Sequence, residues 1–373
     1  MRDLLLSRPI GDVDLVLEKD ALAFAKRLGR ELNARPRVHP RFRTATLQLP
    51  EGWRVDIATA RSESYARPGA LPRVRAAVLS EDLARRDFTI NAMALEIAPR
   101  GKGRLLDPFG GREDVRSRLV RMLHPRSPHD DPTRAFRAVR YAVRLGFSIE
   151  RETRRWIREA VADGSFERVS GDRLRRELEL LFSEKGWARK VVEIAKLGLT
   201  GPLHPALSGS AVLRSRVARA ERLARCPGST WLSALLAWAS ELSEREAGEL
   251  AARLSLVGAA GRALRAWPET LRGLRGFCAL PPSRARTLAG RLSPDECVAA
   301  AASLPPADRG ALREAAANPV ELRIRGRDLL AAGVPAGREI GLALVRTLSA
   351  RLEGVISEEE ELSYALKSIR RAP

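Results

Sequence analysis

The sequence predicts an α+β protein, with a mixed head built on a small sheet and a longer, mostly helical remainder. Three observations carry this. Short β-branched runs bounded by turn residues fill the first hundred positions. Apolar residues at helical spacing take over from about residue 115. No apolar run approaches the roughly 20 residues that a bilayer-spanning helix needs, and the 373 residues suffice for two or more domains.

The elements follow in order. VDLVL (13–17), TLQLP (46–50) and RVDIATA (54–60) read as strands, and ALAFAKRLGREL between the first two has the apolar spacing of a helix. TINAMALEI (89–97) suits either helix or strand, and LLDPFGG supplies a turn. DPTRAFRAVRYAVRLGF, RETRRWIREAVADG and GDRLRRELELLF then place apolar residues three and four apart, as helices do. LARCPGSTW and FCALPPSRA read as helix–loop–helix joints, and the glycines and proline of LRIRGRDLLAAGVPAGREIG interrupt the last helices.

Composition narrows the function classes. Sixty-six Lys and Arg against 46 Asp and Glu leave a net charge of +20. That balance favours a polyanionic partner, nucleic acid before membrane surface, although a genome-wide arginine bias would also raise it. Cys226, Cys278 and Cys297 are scattered without a C-x-x-C pair, which argues against a disulfide framework and suits a reducing cytoplasm. Arg2, Asp3 and Arg8 break up the first residues, which therefore do not read as a secretory signal.

Two patterns point to chemistry. Asp12 and Asp14 lie two apart on an expected strand, so both face one side while Val13 and Leu15 face the other. Two carboxylates that close repel unless a cation lies between them. Mg²⁺ suits such a scaffold, since it commonly binds one or two carboxylates plus substrate phosphates. Asp56, in the stretch Val55-Asp56-Ile57, could add a third carboxylate from a neighbouring strand. A D-x-D pair is also common on solvated strands, and the pattern alone leaves both readings open. The second pattern is Asp131, Arg134, Arg137 and Arg140 at three-residue steps, which puts the three arginines on one side of a helix. Asp131 before Pro132 is also a natural N-cap. A carboxylate accepts from an exocyclic amine and a guanidinium donates to a ring nitrogen or a phosphate. An Asp–Arg pair could therefore read cytosine or adenine, with the remaining arginines facing a triphosphate.

DLARRDFTINAMAL (82–95), together with GDVDLVL, LLDPFGG, DDPTRAFRAVRYAVRLGF and GDRLRREL in this order, resembles the class II tRNA nucleotidyltransferase family. That family holds the CCA-adding enzymes, the specialised CC- and A-adding enzymes and the bacterial poly(A) polymerases. ARSESYARPGALPRV (60–74) is similar to the family's segment between the metal-binding and RRDFT motifs, and GRDLLAAGVPAGREIG (326–341) to a tail motif. The likeness is dense over residues 2–182 and thinner through the middle.

The resemblance implies a polymerase-β-like head at 1–115, a helical neck with the nucleotide-reading helix at 116–200, a helical body at 201–310 and a tRNA-binding helical tail at 311–373. It implies metal binding and catalysis by Asp12 and Asp14, and nucleotide contacts by Arg2, Arg86, Arg137 and Arg140. Asp131 and Arg134 match the pair that recognises the incoming base, and Asp87 is expected to hold local structure. The implied cofactor is Mg²⁺ and the implied partners are tRNA, CTP and ATP, in the cytoplasm, with no membrane and no stable protein partner. Family members carry Gly-Gly before a V-R-D; here Met1 stands at the valine position and the glycines are absent. The expectation is a start assigned too late, with a Gly-Gly encoded in frame upstream. His39, His124, His129 and His204 build no H…HD…D site, so no phosphohydrolase activity is expected. Full CCA addition leads, followed by A-only or CC-only addition. Poly(A) polymerase and a non-catalytic RNA-binding protein with an incomplete head are the remaining alternatives.

Overall fold

The computed structural model describes residues 1–373 except 41–42, 65–72, 98–102, 225–227, 229, 318–320 and 371–373. Its first turn of helix, α1 (Arg2–Leu5), leads into β1 (Asp12–Leu17), α2 (Ala21–Glu31), β2 (Pro36–His39), β3 (Thr44–Gln48) and β4 (Arg54–Thr59). The strands form one mixed sheet in the order β1-β4-β3-β2, with β1 parallel to β4 and the other neighbours antiparallel. The period of two sorts each strand. Val55 and Ile57 of β4, Ala45 and Leu47 of β3, and the partly buried Val13, Leu15 and Leu17 of β1 face the core. Asp12, Asp14 and Asp56 lie at the alternate positions.

Helix α2 covers the apolar face with Ala21, Ala25 and Gly29. Asp20 caps it by accepting from the backbone N–H of Leu22 and Ala23. Small residues are required there, because a Cβ on Gly29 would lie 2.5 Å from the Ala34 carbonyl oxygen.

A hairpin of β5 (Arg61–Ser64) and β6 (Arg73–Ala76) precedes α3 (Leu79–Ala84). The segment 60–74 that resembles a family motif therefore lies partly outside the described residues. TINAMALEI is neither a helix nor one strand. It is a 3-10 turn at Thr89–Asn91 followed by the short β7 (Ala94–Leu95), which pairs with β8 (Leu105–Leu106). Phe88, Ile90 and Ala92 are wholly buried, so packing overrides the local pattern.

Then come α4 (Gly111–Arg116), β9 (Leu119–Val120), α5 (Ser127–Asp130), α6 (Thr133–Leu145), β10 (Ser148–Ile149), α7 (Arg151–Ala162), α8 (Gly171–Phe182) and α9 (Trp187–Lys196). Helix α6 buries Ala135, Phe136, Ala138, Val139 and Ala142, and ends at Gly146, whose φ of 73° is the left-handed conformation glycine adopts freely. Helices α7 and α8 match the expected segments.

The chain divides into two compact units, residues 1–205 and 206–373. The second is helical among the described residues: α10 (Ala211–Leu223), α11 (Trp231–Trp238), α12 (Glu244–Arg253), α13 (Gly258–Gly273), α14 (Pro282–Ala289), α15 (Pro294–Ser303), α16 (Pro306–Ala317), α17 (Gly326–Ala331), α18 (Arg338–Leu352) and α19 (Glu361–Arg370). Buried carboxylates tie these helices together. Asp295 accepts from the backbone and hydroxyls of Thr230 and Ser233, and Glu361 from Arg351 and the backbone of Arg323 and Ile324. The LARCPGSTW joint lies partly outside the described residues. No helix among them is long and apolar enough to cross a membrane.

Candidate active site

The strand β1 presents Asp12 and Asp14 to solvent on the face opposite the core. Neither makes a hydrogen bond or ion pair with a described residue. In the parallel register Asp14 lies beside Asp56, and Asp12 beside Arg54. Asp56 is differently placed chemically: its carboxylate accepts from the Thr46 hydroxyl at 2.6 Å and pairs with Arg54 at 2.9 Å. The structure thus brings the three aspartates to one face but leaves only Asp12 and Asp14 without protein partners.

The arginines of the RRDFT segment and of α6 are held by buried carboxylates. Asp82, only 1% exposed, accepts from both Arg85 and Arg86. Burial pushes its pKa up, but Arg85 and then Arg86 outweigh that and leave it lowered. Arg86 also donates to the Asn91 carbonyl at 3.2 Å, while its Nε is buried without a partner. Asp87 accepts from Arg137 Nε at 2.9 Å, from the Asn91 amide at 2.9 Å and from the Phe88 N–H. Burial raises its pKa and Arg137 more than reverses the shift, so it stays ionised. Asn91 in turn accepts from Arg2, which also pairs with Asp3 at 2.7 Å. Arg2, Asn91, Asp87 and Arg137 therefore form one chain of hydrogen bonds from α1 to α6. The amine of Met1 lies within electrostatic reach of Asp14 and Arg86, which puts the carboxylate face and these arginines in one neighbourhood.

The side chains of Arg134 and Asp131 are not paired with each other, although the Arg134 N–H donates to the Asp131 carbonyl. Arg134 is 6% exposed and donates to the Ser127 hydroxyl and the Arg85 carbonyl, both at 2.8 Å. Asp131 accepts from the Thr133 N–H and hydroxyl and from Arg173 of α8 at 2.6 Å. Asp131 is not the N-cap that the sequence suggested: Pro132 holds that position, because α6 starts at Thr133, and Asp131 ends α5 while accepting from the Thr133 N–H. Arg140 and Arg144 share Glu184, at 3.3 and 3.4 Å. Glu177 of α8 is 9% exposed, and burial raises its pKa against the opposing pull of Arg137 and Arg140.

Sequence reasoning missed Asn91, Tyr141, Arg144, Arg173, Glu184 and Lys190. Arg144 was findable, since it continues the arginine spacing one turn beyond Arg140. Asn91 and Tyr141 lie inside the RRDFT and α6 segments but carry no charge pattern that singles them out. Arg173 and Glu184 reach Asp131 and α6 from 40 or more residues away, and Lys190 acts through backbone carbonyls.

Residues 1–121 match the family described as Poly A polymerase head domain, and residues 146–209 the one described as probable RNA and SrmB-binding site of polymerase A. A CC-adding tRNA nucleotidyltransferase of Deinococcus radiodurans is 32% identical over 99% of this chain and 87% of its own. An A-adding tRNA nucleotidyltransferase of Geobacter sulfurreducens is 41% identical over 56% of this chain. The chain spans less than half the length of the A-adding relatives it matches, 24%, 44% and 22% of three of them. The Thermotoga maritima CCA-adding enzyme complexed with tRNA aligns with a TM-score of 0.79 at 31% identity, covering 99% of this chain and 89% of that one. With paired aspartates on the sheet, an arginine-bearing helix beside them and likeness along almost its whole length, the chain belongs to the tRNA nucleotidyltransferase and poly(A) polymerase family.

Proposed function

We propose that this protein adds C and A nucleotides, as CCA, to the 3′ end of tRNA from CTP and ATP, without a template and with release of pyrophosphate. The observation that carries the reading is the pair of exposed, unpartnered carboxylates Asp12 and Asp14 beside a set of ordered arginines. Family membership and the solved likeness in complex with tRNA support it.

The donors fit a hard divalent cation. They are oxygens only, they face one way, and no Lys or Arg among the described residues forms an ion pair with them. Among the described residues no group of three or more His, Cys, Asp or Glu gathers into a metal-binding cluster. A pair of carboxylates leaves the other positions to water and phosphate, which is the habit of Mg²⁺. When bound there, Mg²⁺ would neutralise triphosphate charge and acidify the terminal 3′-hydroxyl.

The protein's own groups do the rest. Arg2, Arg86, Arg137 and Arg140 hold positive charge where the triphosphate must lie, which favours in-line departure of pyrophosphate after the hydroxyl attacks the α-phosphorus. Asp131 accepts from the exocyclic amine of the incoming base and Arg134 donates to its ring nitrogen. Both side chains are already fixed, by Arg173 and by Ser127 and the Arg85 carbonyl, so the reading pair is organised before the nucleotide arrives. tRNA is a cytoplasmic substrate, and the protein is placed there on that ground.

The test offers tRNAs lacking three, two or one terminal nucleotide, with labelled CTP and ATP supplied separately and Mg²⁺ present. Incorporation of both nucleotides is expected. Asp12→Asn and Asp14→Asn should each abolish incorporation while leaving tRNA affinity within about twofold of wild type. Incorporation by either variant at the wild-type rate would remove the metal role. A second reading, A-addition alone, is favoured by the 41% identity to an A-adding relative over the first part of the chain. It predicts label from ATP only, on tRNA lacking one nucleotide.

A further inference from the structure

Tyr141 stands out among the side chains that the reading above does not use. The guanidinium carbons of Arg144, Arg2, Arg140 and Arg137 lie 4.6, 5.0, 5.3 and 5.9 Å from the centroid of its ring. Four like charges around one phenol come from two elements, α1 and α6. All four are held by carboxylates: Arg2 by its neighbour Asp3, Arg137 by Asp87 of the RRDFT segment, and Arg140 and Arg144 by the shared Glu184. The ring itself is fixed by Phe88, wholly buried in the RRDFT segment, which meets it edge-on at 5.5 Å and 73°.

The physical problem is mutual repulsion. Guanidiniums this close diverge into water unless something holds them. The carboxylates fix where each side chain leaves its element, but each acts on one or two arginines. The negative π-system of one aromatic ring is common to all four, and a cation over a ring face within about 6 Å of its centroid is attracted by it. A polyphosphate is the ligand whose charge matches four converging guanidiniums.

We propose that Tyr141 is a positioning residue that gathers Arg2, Arg137, Arg140 and Arg144 into a single receptor for the triphosphate of the incoming nucleotide. The proposal rests on the nucleotidyltransferase reading. Tyr141 faces all four arginines with its ring, adds a hydroxyl contact to Arg2, and touches the arginines rather than the reacting atoms.

The experiment uses the full chain and measures equilibrium binding of CTP, ATP and CMP without tRNA, followed by steady-state transfer. Tyr141→Phe keeps the ring. Tyr141→Leu and Tyr141→Met keep apolar bulk without it, so a folding failure in one leaves the other. The expected result is a CTP and ATP Kd raised about tenfold in the Leu and Met variants, a loss in the range that cation–π contacts supply. CMP binding should change little, KM should rise with kcat within about twofold, and Tyr141→Phe should keep most of the wild-type affinity, losing only what the hydroxyl gives Arg2. A preserved preference for CTP over CMP in both Leu and Met variants would overturn the proposal, as would a Tyr141→Phe variant as impaired as they are. A wild-type chain that binds neither CTP nor ATP would overturn the underlying reading, and the proposal with it.

Discussion

Asp87 shows how much one side chain does here. It is 7% exposed, and it holds Arg137 at two nitrogens, the Asn91 amide and the Phe88 N–H. Its folded pKa is lowered, since Arg137 and Asn91 outweigh burial. A carboxylate with a depressed folded pKa contributes stability that is present above its unfolded pKa and lost as pH falls through the folded one. Asp87→Asn should therefore cost about 1–2 kcal/mol near neutral pH, because it takes the counter-charge from an Arg137 that is a third exposed and so partly screened by water. Denaturant melts across a pH series should show the gap to wild type closing below the ordinary carboxylate range; a gap independent of pH would argue against this ion pair as the source. Asp12 and Asp14 are the opposite case. Exposed and without partners among the described residues, they contribute little to folding, and spacing alone put them on one face while leaving their role open.

At the scale of elements, helix α6 was readable in the sequence and its surroundings were not. Three-residue steps place Arg134, Arg137 and Arg140 along one side, but not which of them is buried. The structure buries Arg134 and Arg140 and leaves Arg137 a third exposed, because α8, α9 and the RRDFT segment close over the helix. Lys190 of α9 is part of that closure. It is wholly buried, and its ammonium donates to the carbonyls of Leu181 and Glu184 at the C-terminal end of α8. Those carbonyls would otherwise be orphans of a helix end, and cations are favoured there. The same contact sets the backbone from which Glu184 reaches Arg140 and Arg144. Lys190→Met should lower stability by about 2 kcal/mol, the cost of buried carbonyls left unpaired. It should also raise KM for the nucleotide. Chemical denaturation and steady-state kinetics check the two parts, and an unchanged midpoint would show that the carbonyls find other donors.

For the whole molecule, charge is the property that needs no structure. A net +20 spread over 373 residues favours binding to RNA backbone largely independent of sequence. tRNA affinity should fall at least about tenfold between 50 and 200 mM salt. Filter binding at stepped salt measures this, and a flat response would exclude a phosphate-dominated interface. The sequence by itself determined the α+β order of elements, the shared face of Asp12 and Asp14 and the arginine side of α6. Those are consequences of backbone period, which is local. Only the tertiary structure decided that Asp87 meets Arg137 fifty positions away, that Asp131 meets Arg173, and that four arginines surround Tyr141. Such pairings depend on which surfaces pack together to bury the core, and short-range spacing carries no record of that.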